Sequence, residues 1–370
     1  MNIVIFGAGN VGRGFLGLEM YLRGYDITFV DVNKEIIDYL QKKGEYKIRF
    51  FDKDSMETVK IKEALHISQN DSIQEAVELA DVVLTAVGAG NLVHLSKVIA
   101  NGIQNEKDQL VIACENAPKN TEKLREYVSK LVPRLTGYAE FANCVIDRIC
   151  LRDEDSVIVE PTYEWIVETR SHLLKDIEKT DNLDAYFTRK LFLVNSAHAI
   201  IGYVGAQRNT KYVHESLKNE EIRGLVEGAL RESCFGLSQE FGFNLSSLES
   251  YVENLLKRFS NPAIKDEVSR LVRDPIRKLQ SNERLIGPAV LALKYGLHPE
   301  NLCRSVAYLL MYDGDAEGKK LQDVIATNGV TRALVEYTGL SEDSGLLRTI
   351  ELEYHKLQKN RERILKDTNN

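Results

Sequence analysis

Lys190, Asn195 and His198 interrupt KLFLVNSAHAII, a stretch that is otherwise nearly all apolar. On a helix turning about 100° per residue, Asn195 falls about 140° from Lys190 and His198 about 80°, so all three share one side. An ammonium, an amide and an imidazole are costly in apolar surroundings unless each has a partner or a task. Taken singly, they have ordinary readings: a snorkelling lysine, a hydrogen-bonded core asparagine, a satisfied core histidine. Taken together, they suit the oxidation of a secondary alcohol. That reaction needs a base for the hydroxyl proton and donors for the developing alkoxide. A lysine can be the base, because burial disfavours its charged form. Asn195 can donate to the alkoxide. Asn116, at the end of the apolar run LVIACEN, is a second candidate donor, with a turn or capping asparagine ahead of Pro118 as its structural alternative.

An alcohol oxidation also needs a hydride acceptor, and the first 31 residues supply a place for one. IVIF (Ile3 to Phe6) reads as a buried strand and runs into GAGNVGRG, where Gly7, Gly9 and Gly12 satisfy G-x-G-x-x-G around Ala8, Asn10 and Val11. Gly7 permits the tight turn, Gly9 lets the main chain approach a pyrophosphate, and Gly12 allows close helix packing. The helix that follows offers its N-terminal N–H groups and dipole to phosphate. TFVDV then forms a second strand ending on Asp31, about twenty residues beyond Gly12, where an acid engages the ribose hydroxyls. A carboxylate there repels a 2′-phosphate, so the expected cofactor is NAD and not NADP.

These residues need two kinds of scaffold. Up to about residue 180 strand and helix signals alternate: KEIIDYLQKKG, SIQEAVELA, NLVHLSKVIANGI and TEKLREYVSKLV read as helices, and YKIRFF, DVVLTAVG and LVIACEN as strands. VKIKEALHI reads as a further strand with some helical character, and VIVEPTYEWIVE alternates like a single antiparallel strand. Such alternation predicts an α/β Rossmann-type, doubly wound parallel sheet over residues 1–180. From about Asp181 the strand signals stop and apolar helices follow one another, which predicts an all-helical domain over 181–370 that carries the substrate and catalytic groups. The last helix, about Leu346 to Leu365, reads as charged and mostly solvated. The active site is expected in the cleft between the two domains.

Composition narrows the partners. A chain of 370 residues with 44% hydrophobic and 28% charged residues has the make-up of an ordinary globular protein of two domains. Its net charge of −7 argues against nucleic acid or an anionic membrane surface. Met1 runs straight into a strand, leaving no room for a signal peptide, and no apolar run is long enough to span a bilayer. The five cysteines lack C-x-x-C spacing and read as reduced thiols of a cytoplasmic protein. The histidines lack metal-ligand spacing, so no metal is expected. Arg270, Arg273, Arg277, Lys278 and Arg284 crowd VSRLVRDPIRKLQSNERL, the densest basic stretch of the helical half. Of these, Arg277, Lys278 and Arg284 are the candidates to bind a substrate phosphate, against the ordinary reading of a solvated charged face. Tyr186 and Lys190 form Y-x-x-x-K, as in short-chain dehydrogenases, but the glycine pattern after the first strand is not theirs and the pairing is read as chance.

K-x4-N-x2-H resembles the active-site motif of the polyol-specific long-chain dehydrogenases and reductases. FGAGNVGRGF, ACEN (Ala113 to Asn116), IDRI (Ile146 to Ile149), EWIV (Glu164 to Val167) and DPIRKL (Asp274 to Leu279) resemble the same family, in order, from Met1 to about Asp315. Ile5 stands where a histidine is common in phosphate-specific members, and ACENAPKN departs from the pattern after Asn116. The resemblance implies a metal-independent, NAD-linked enzyme with Lys190 as general base. Asn195 and Asn116 are then oxyanion donors and His198 a substrate-orienting residue. It also implies that Asp147 faces the substrate, that Arg148 does so or forms a structural ion pair, and that Ala86, Val87 and Gly88 touch NAD through backbone atoms. The substrate implied is a polyol phosphate, and the protein a monomer or weak oligomer. A hexuronate reductase of the same family is the near alternative. A non-catalytic NAD-binding regulatory protein is the distant one, separable by an absorbance assay for NADH.

Overall fold

The structure is a computed structural model that describes residues 1–51, 55–103, 108–132, 139–153 and 156–368. The chain divides into two compact units, Met1–Phe187 and Thr188–Asn370.

The strands of the first unit are β1 (Asn2–Phe6), β2 (Asp26–Asp31), β3 (Glu45–Phe50), β4 (Met56–Lys60), β5 (Glu63–His66), β6 (Val82–Thr85) and β7 (Gln109–Ala113). They continue with β8 (Ala139–Phe141), β9 (Cys144–Asp147), β10 (Cys150–Arg152), β11 (Ser156–Val159), β12 (Glu164–Val167) and β13 (Glu178–Lys179). A six-stranded sheet runs in the order β5-β2-β1-β6-β7-β8, with every neighbouring pair parallel. Both faces are covered, as parallel sheets require. Ile3 and Ile5 join the core on one face of β1, and Val4 and Phe6 the core on the other. The strand order reverses beside β1, between the ends of β1 and β6. Open α/β sheets bind their ligands at that point.

Two smaller sheets were not foreseen from the sequence. One has the order β10-β11-β3-β4 and the other β13-β12-β9. VKIKEALHI is split between β4 and β5, which belong to different sheets, and VIVEPTYEWIVE likewise between β11 and β12. Alternation of apolar residues reports burial of one strand face; it does not say that the run stays in one sheet. The four-stranded sheet packs on the helix after the glycine turn. A Cβ at Gly14 would come within 2.7 Å of Val157 and 2.9 Å of Val159, and one at Gly17 within 2.7 Å of the Phe29 ring. Tyr46, 1% exposed, donates its hydroxyl to the Arg13 carbonyl at 2.8 Å.

The second unit is built of helices joined by loops, with one isolated β-bridge between Tyr212 and Glu267 among its described residues. Its longer helices are Ser196–Gln207, Glu220–Phe241, Leu245–Phe259, Glu300–Leu310, Ala316–Asn328 and Gly345–Thr368. They close on one core that includes Leu193, Ile200, Val226, Leu237, Leu302 and Leu309. The final helix differs from expectation. Leu346, Leu347, Ile350, Tyr354 and Leu357 are buried in that core, so only its charged face is solvated. The spacing of those five makes an apolar stripe that the many charges between them obscured.

Candidate active site

The glycine turn has the geometry of a phosphate cradle. Gly7 adopts φ +102°, and the Ala86 carbonyl oxygen lies where its Cβ would be. Gly12 is held against the Gly7 carbonyl, leaving no room for a side chain. A Cβ at Gly9 would meet nothing within 4 Å. The first and third glycines are thus required by packing, while the second faces open space, as a position reserved for a pyrophosphate should. Asp31 accepts the Ala8 N–H at 2.6 Å and the Asn33 N–H at 2.7 Å. The acid at the end of β2 therefore fixes the turn, and the Ala8 N–H points at Asp31. Arg13, inside the motif, donates its Nε to the Ala8 carbonyl at 2.7 Å and braces the turn from the other side.

Ala86, Val87 and Gly88 lie beside this turn, but their N–H groups have other partners. The Ala86 N–H bonds the Phe6 carbonyl at 2.7 Å. Val87 and Gly88 donate to the Glu115 carboxylate at 3.0 and 2.9 Å. The Val87 and Gly88 N–H groups are thus engaged within the protein, which narrows the backbone contact expected with NAD to other atoms of the segment. Glu115 was missed in the sequence. Its signal was a carboxylate directly after the apolar run Leu110 to Cys114, a position that demands donors. Asn116 follows it and is exposed at the C-terminal end of β7. It does not cap the next helix, which begins at Asn120. Asn120 closes the turn instead, donating to the Ala117 carbonyl at 2.5 Å.

Asp147 ends β9 opposite Glu164 of β12. Arg148 is a buried ion-pair residue: its guanidinium reaches Glu19 at 2.7 Å with a side chain 1% exposed, and Glu19 also binds Arg23. Of the two readings of Arg148, the structural one describes its contacts.

In the second unit, Lys190 is 8% exposed. Residues Leu191–Asn195 form a π turn between Lys190 and the helix Ser196–Gln207. Closing at i→i+5, such a turn winds less per residue than an α-helix and brings Asn195 nearer to the side of Lys190 than regular helical spacing allows. His198 stacks on Phe259, with ring centroids 4.1 Å apart, and its Nε2 lies 3.4 Å from Asp266. Arg270 holds the same carboxylate through two bonds, at 2.8 and 2.7 Å. The imidazole is therefore oriented by an aromatic face and an anchored acid.

The structure brings Arg277, Lys278 and Arg284 together but distributes their charges unequally. Arg284 is 17% exposed and bonds Glu283 at 3.0 Å; Arg277, 45% exposed, shares that glutamate. Lys278 departs from the expectation of a phosphate ligand. Its ammonium is buried and donates to the Leu271 carbonyl at 2.6 Å and to the Arg273 carbonyl. Burial, reinforced by the nearby Arg284 and Arg277, pulls its pKa down to about 8. Among the described residues no group of three His, Cys, Asp or Glu is placed to hold a metal ion. No helix there is long and apolar enough to cross a membrane.

Comparison with known proteins gives the family. Residues 1–179 match the mannitol dehydrogenase Rossmann domain, and residues 182–358 the mannitol dehydrogenase C-terminal domain. Mannitol-1-phosphate 5-dehydrogenase of Geobacillus thermodenitrificans is 38% identical, covering 97% of this chain and all of the relative. That of Caldanaerobacter subterraneus is 37% identical, covering 95% and 97%. Among solved structures, a substrate-free D-sorbitol dehydrogenase superposes with a TM-score of 0.80 at 15% identity, over 97% of this chain and 93% of its own. Mannitol 2-dehydrogenase of Pseudomonas fluorescens, in ternary complex with NAD and D-mannitol, superposes at 0.70 with 17% identity, over 97% and 92%. These two likenesses show the fold. The two domain matches and the full-length relatives show more: this chain belongs to the mannitol dehydrogenase family and is a polyol dehydrogenase.

Proposed function

We propose that this protein is an NAD-dependent mannitol-1-phosphate 5-dehydrogenase, interconverting D-mannitol 1-phosphate and D-fructose 6-phosphate. The observation that carries the reading is the buried Lys190 followed by a π turn to Asn195, in a chain whose full-length relatives are named for that activity. Open space at Gly9, bounded by crowded glycines on both sides, supports the dinucleotide. Asp31 supports NAD over its 2′-phosphorylated form by its charge.

Lys190 takes the proton of the substrate hydroxyl at its Nζ and returns it in the reverse direction. The amide N–H groups of Asn195 and Asn116 donate to the oxygen as negative charge develops there. His198, held by Phe259 and Asp266, orients the substrate. Bound NAD supplies the acceptor for the hydride leaving the secondary carbon. Arg284, with Arg277 beside it, binds the phosphate; a guanidinium suits that group because its planar fork donates two hydrogen bonds at once. No metal takes part in the proposed mechanism.

The test is NADH-dependent reduction across a panel of keto-sugars, keto-sugar phosphates and keto-uronates. Fructose 6-phosphate should be the preferred substrate. Preference for an unphosphorylated uronate would assign the chain to a hexuronate reductase. NADH binding without turnover of any of them would make it a non-catalytic sensor.

A further inference from the structure

Glu115 has no role in the mechanism above, yet it is a carboxylate only 6% exposed at the end of an apolar strand. One of its oxygens accepts the Thr85 hydroxyl at 2.8 Å and the Val87 N–H at 3.0 Å, and the other accepts the Gly88 N–H at 2.9 Å. All three donors lie at the end of β6 or in the loop after it. Between them stands Ala86, whose carbonyl presses on Gly7 of the phosphate cradle. Gly88 holds φ +89°, a conformation that favours glycine at this point of the loop. On the other side, the peptide after Glu115 leads directly to Asn116, and Asn120 grips the Ala117 carbonyl one residue further on. Asn116 is thus suspended between two anchored neighbours.

We propose that Glu115 is a positioning residue that sets two parts of the machinery at once: the Ala86–Gly88 loop against the glycine turn, and the strand end that presents Asn116. The proposal rests on the reading of Asn116 as an alkoxide donor. A carboxylate suits the task because it accepts on both oxygens and donates nothing. Without it two N–H groups would lack acceptors, and a loop so released turns them toward water, taking the Ala86 carbonyl with them. A neutral amide of the same shape cannot replace it, since one of its two ends is a donor.

The experiment is Glu115→Gln, with NADH affinity read by fluorescence titration and turnover by steady-state kinetics. Loss of a charge-assisted acceptor should raise the Kd for NADH and lower kcat, each by about tenfold to a hundredfold. In an Asn116→Ala background the added kcat loss should shrink below about twofold, because residues acting through one another are non-additive. The effect on NADH affinity should persist there. Full kcat losses in both backgrounds overturn the coupling to Asn116, and an unchanged NADH Kd in Glu115→Gln overturns the hold on the loop. Asn116→Ala alone with wild-type kcat would sink the reading of Asn116 instead, and with it the half of the proposal that acts through that residue. If Glu115→Gln does not fold, Thr85→Val removes a single donor. It should show the same shifts at smaller size, and a lowered Tm with unchanged kcat and NADH Kd would leave the network merely structural and the proposal wrong.

Discussion

The hydroxyl of Ser196 donates to the main-chain carbonyl of Arg284, joining the residue after Asn195 to the arginine proposed above to bind the phosphate. The same two segments meet again where the Phe192 ring occupies the space a Cβ would need at Gly287. Arg284 is thereby held in register with the helix that carries Asn195, whereas Arg277 stands more exposed.

That asymmetry ranks the three cations. Fructose 6-phosphate should exceed fructose by at least about a hundredfold in kcat/KM, since removing one partner of a buried anion costs on the order of 2–5 kcal/mol. Arg284→Ala should erase most of the gap without weakening NADH. Arg277→Ala should do less, because solvent screens an exposed charge. Lys278→Ala should mainly lower Tm. Equal turnover of both sugars would show the cluster to be a solvated face.

Lys190→Ala should reduce kcat by about 10²–10⁴-fold, the usual worth of a positioned acid–base group. NADH titration of the same variant should give the wild-type Kd, because the base acts on the substrate hydroxyl. Retention of most of the turnover would return the lysine to a structural role. Activity should be unchanged by chelators.

Asp31→Ala should relax the preference for NAD over NADP, chiefly through a higher KM for NAD. The bonds to Ala8 and Asn33 add a second effect: two main-chain donors lose their acceptor, so Tm should also fall. Comparable kcat/KM for the two cofactors in the wild type would refute the assignment.

Gly9 and Gly12 should fail differently when each is changed to alanine. Gly12→Ala places a methyl group on the Gly7 carbonyl and should destabilise the fold by about 1–3 kcal/mol or more. Gly9→Ala has room in the free protein, so its Tm should match wild type while NADH affinity drops. A Gly9→Ala protein with normal affinity would mean that the pyrophosphate does not lie there.

Lys278 gives a pH signature. Its pKa is about 8 in the fold against 10.5 ordinarily, so between those values the unfolded chain binds more protons. Stability then rises with pH. The cost of the buried ammonium is present in full below pH 8 and is relieved as pH climbs toward 10.5. Thermal denaturation should show wild type gaining on Lys278→Met across that window; parallel curves would contradict the shift.

The central strands of the parallel sheet were legible because they are short, largely apolar and punctuated by glycine, and the helical stretch that carries Lys190, Asn195 and His198 because those polar residues stood out in an apolar run. The small sheets were not: β3 with β4 and β10 with β11 pair locally, but β11 joins β3 from about a hundred residues downstream, a pairing that no local pattern encodes. Glu115 escaped notice for a related reason: its donors, Thr85, Val87 and Gly88, lie some thirty residues upstream, as the separations there run from 27 to 30. Lys278 was read as a phosphate ligand because a basic residue in a basic stretch looks free to meet an anion until the carbonyls of Leu271 and Arg273 are found around it.

The π turn at Leu191–Asn195 makes local winding, as much as residue identity, a constraint on the proposed site. It carries one residue more than a regular helical turn would, and the wider turn absorbs that residue, so Lys190 stays near the side of Asn195 and His198. Rewinding the same residues as an unbroken α-helix would keep every proposed catalytic side chain. It would also set Asn195 about 140° around the axis from Lys190. Substitutions inside Leu191–Val194 that keep the wide turn can be absorbed by repacking; one that tightens it cannot.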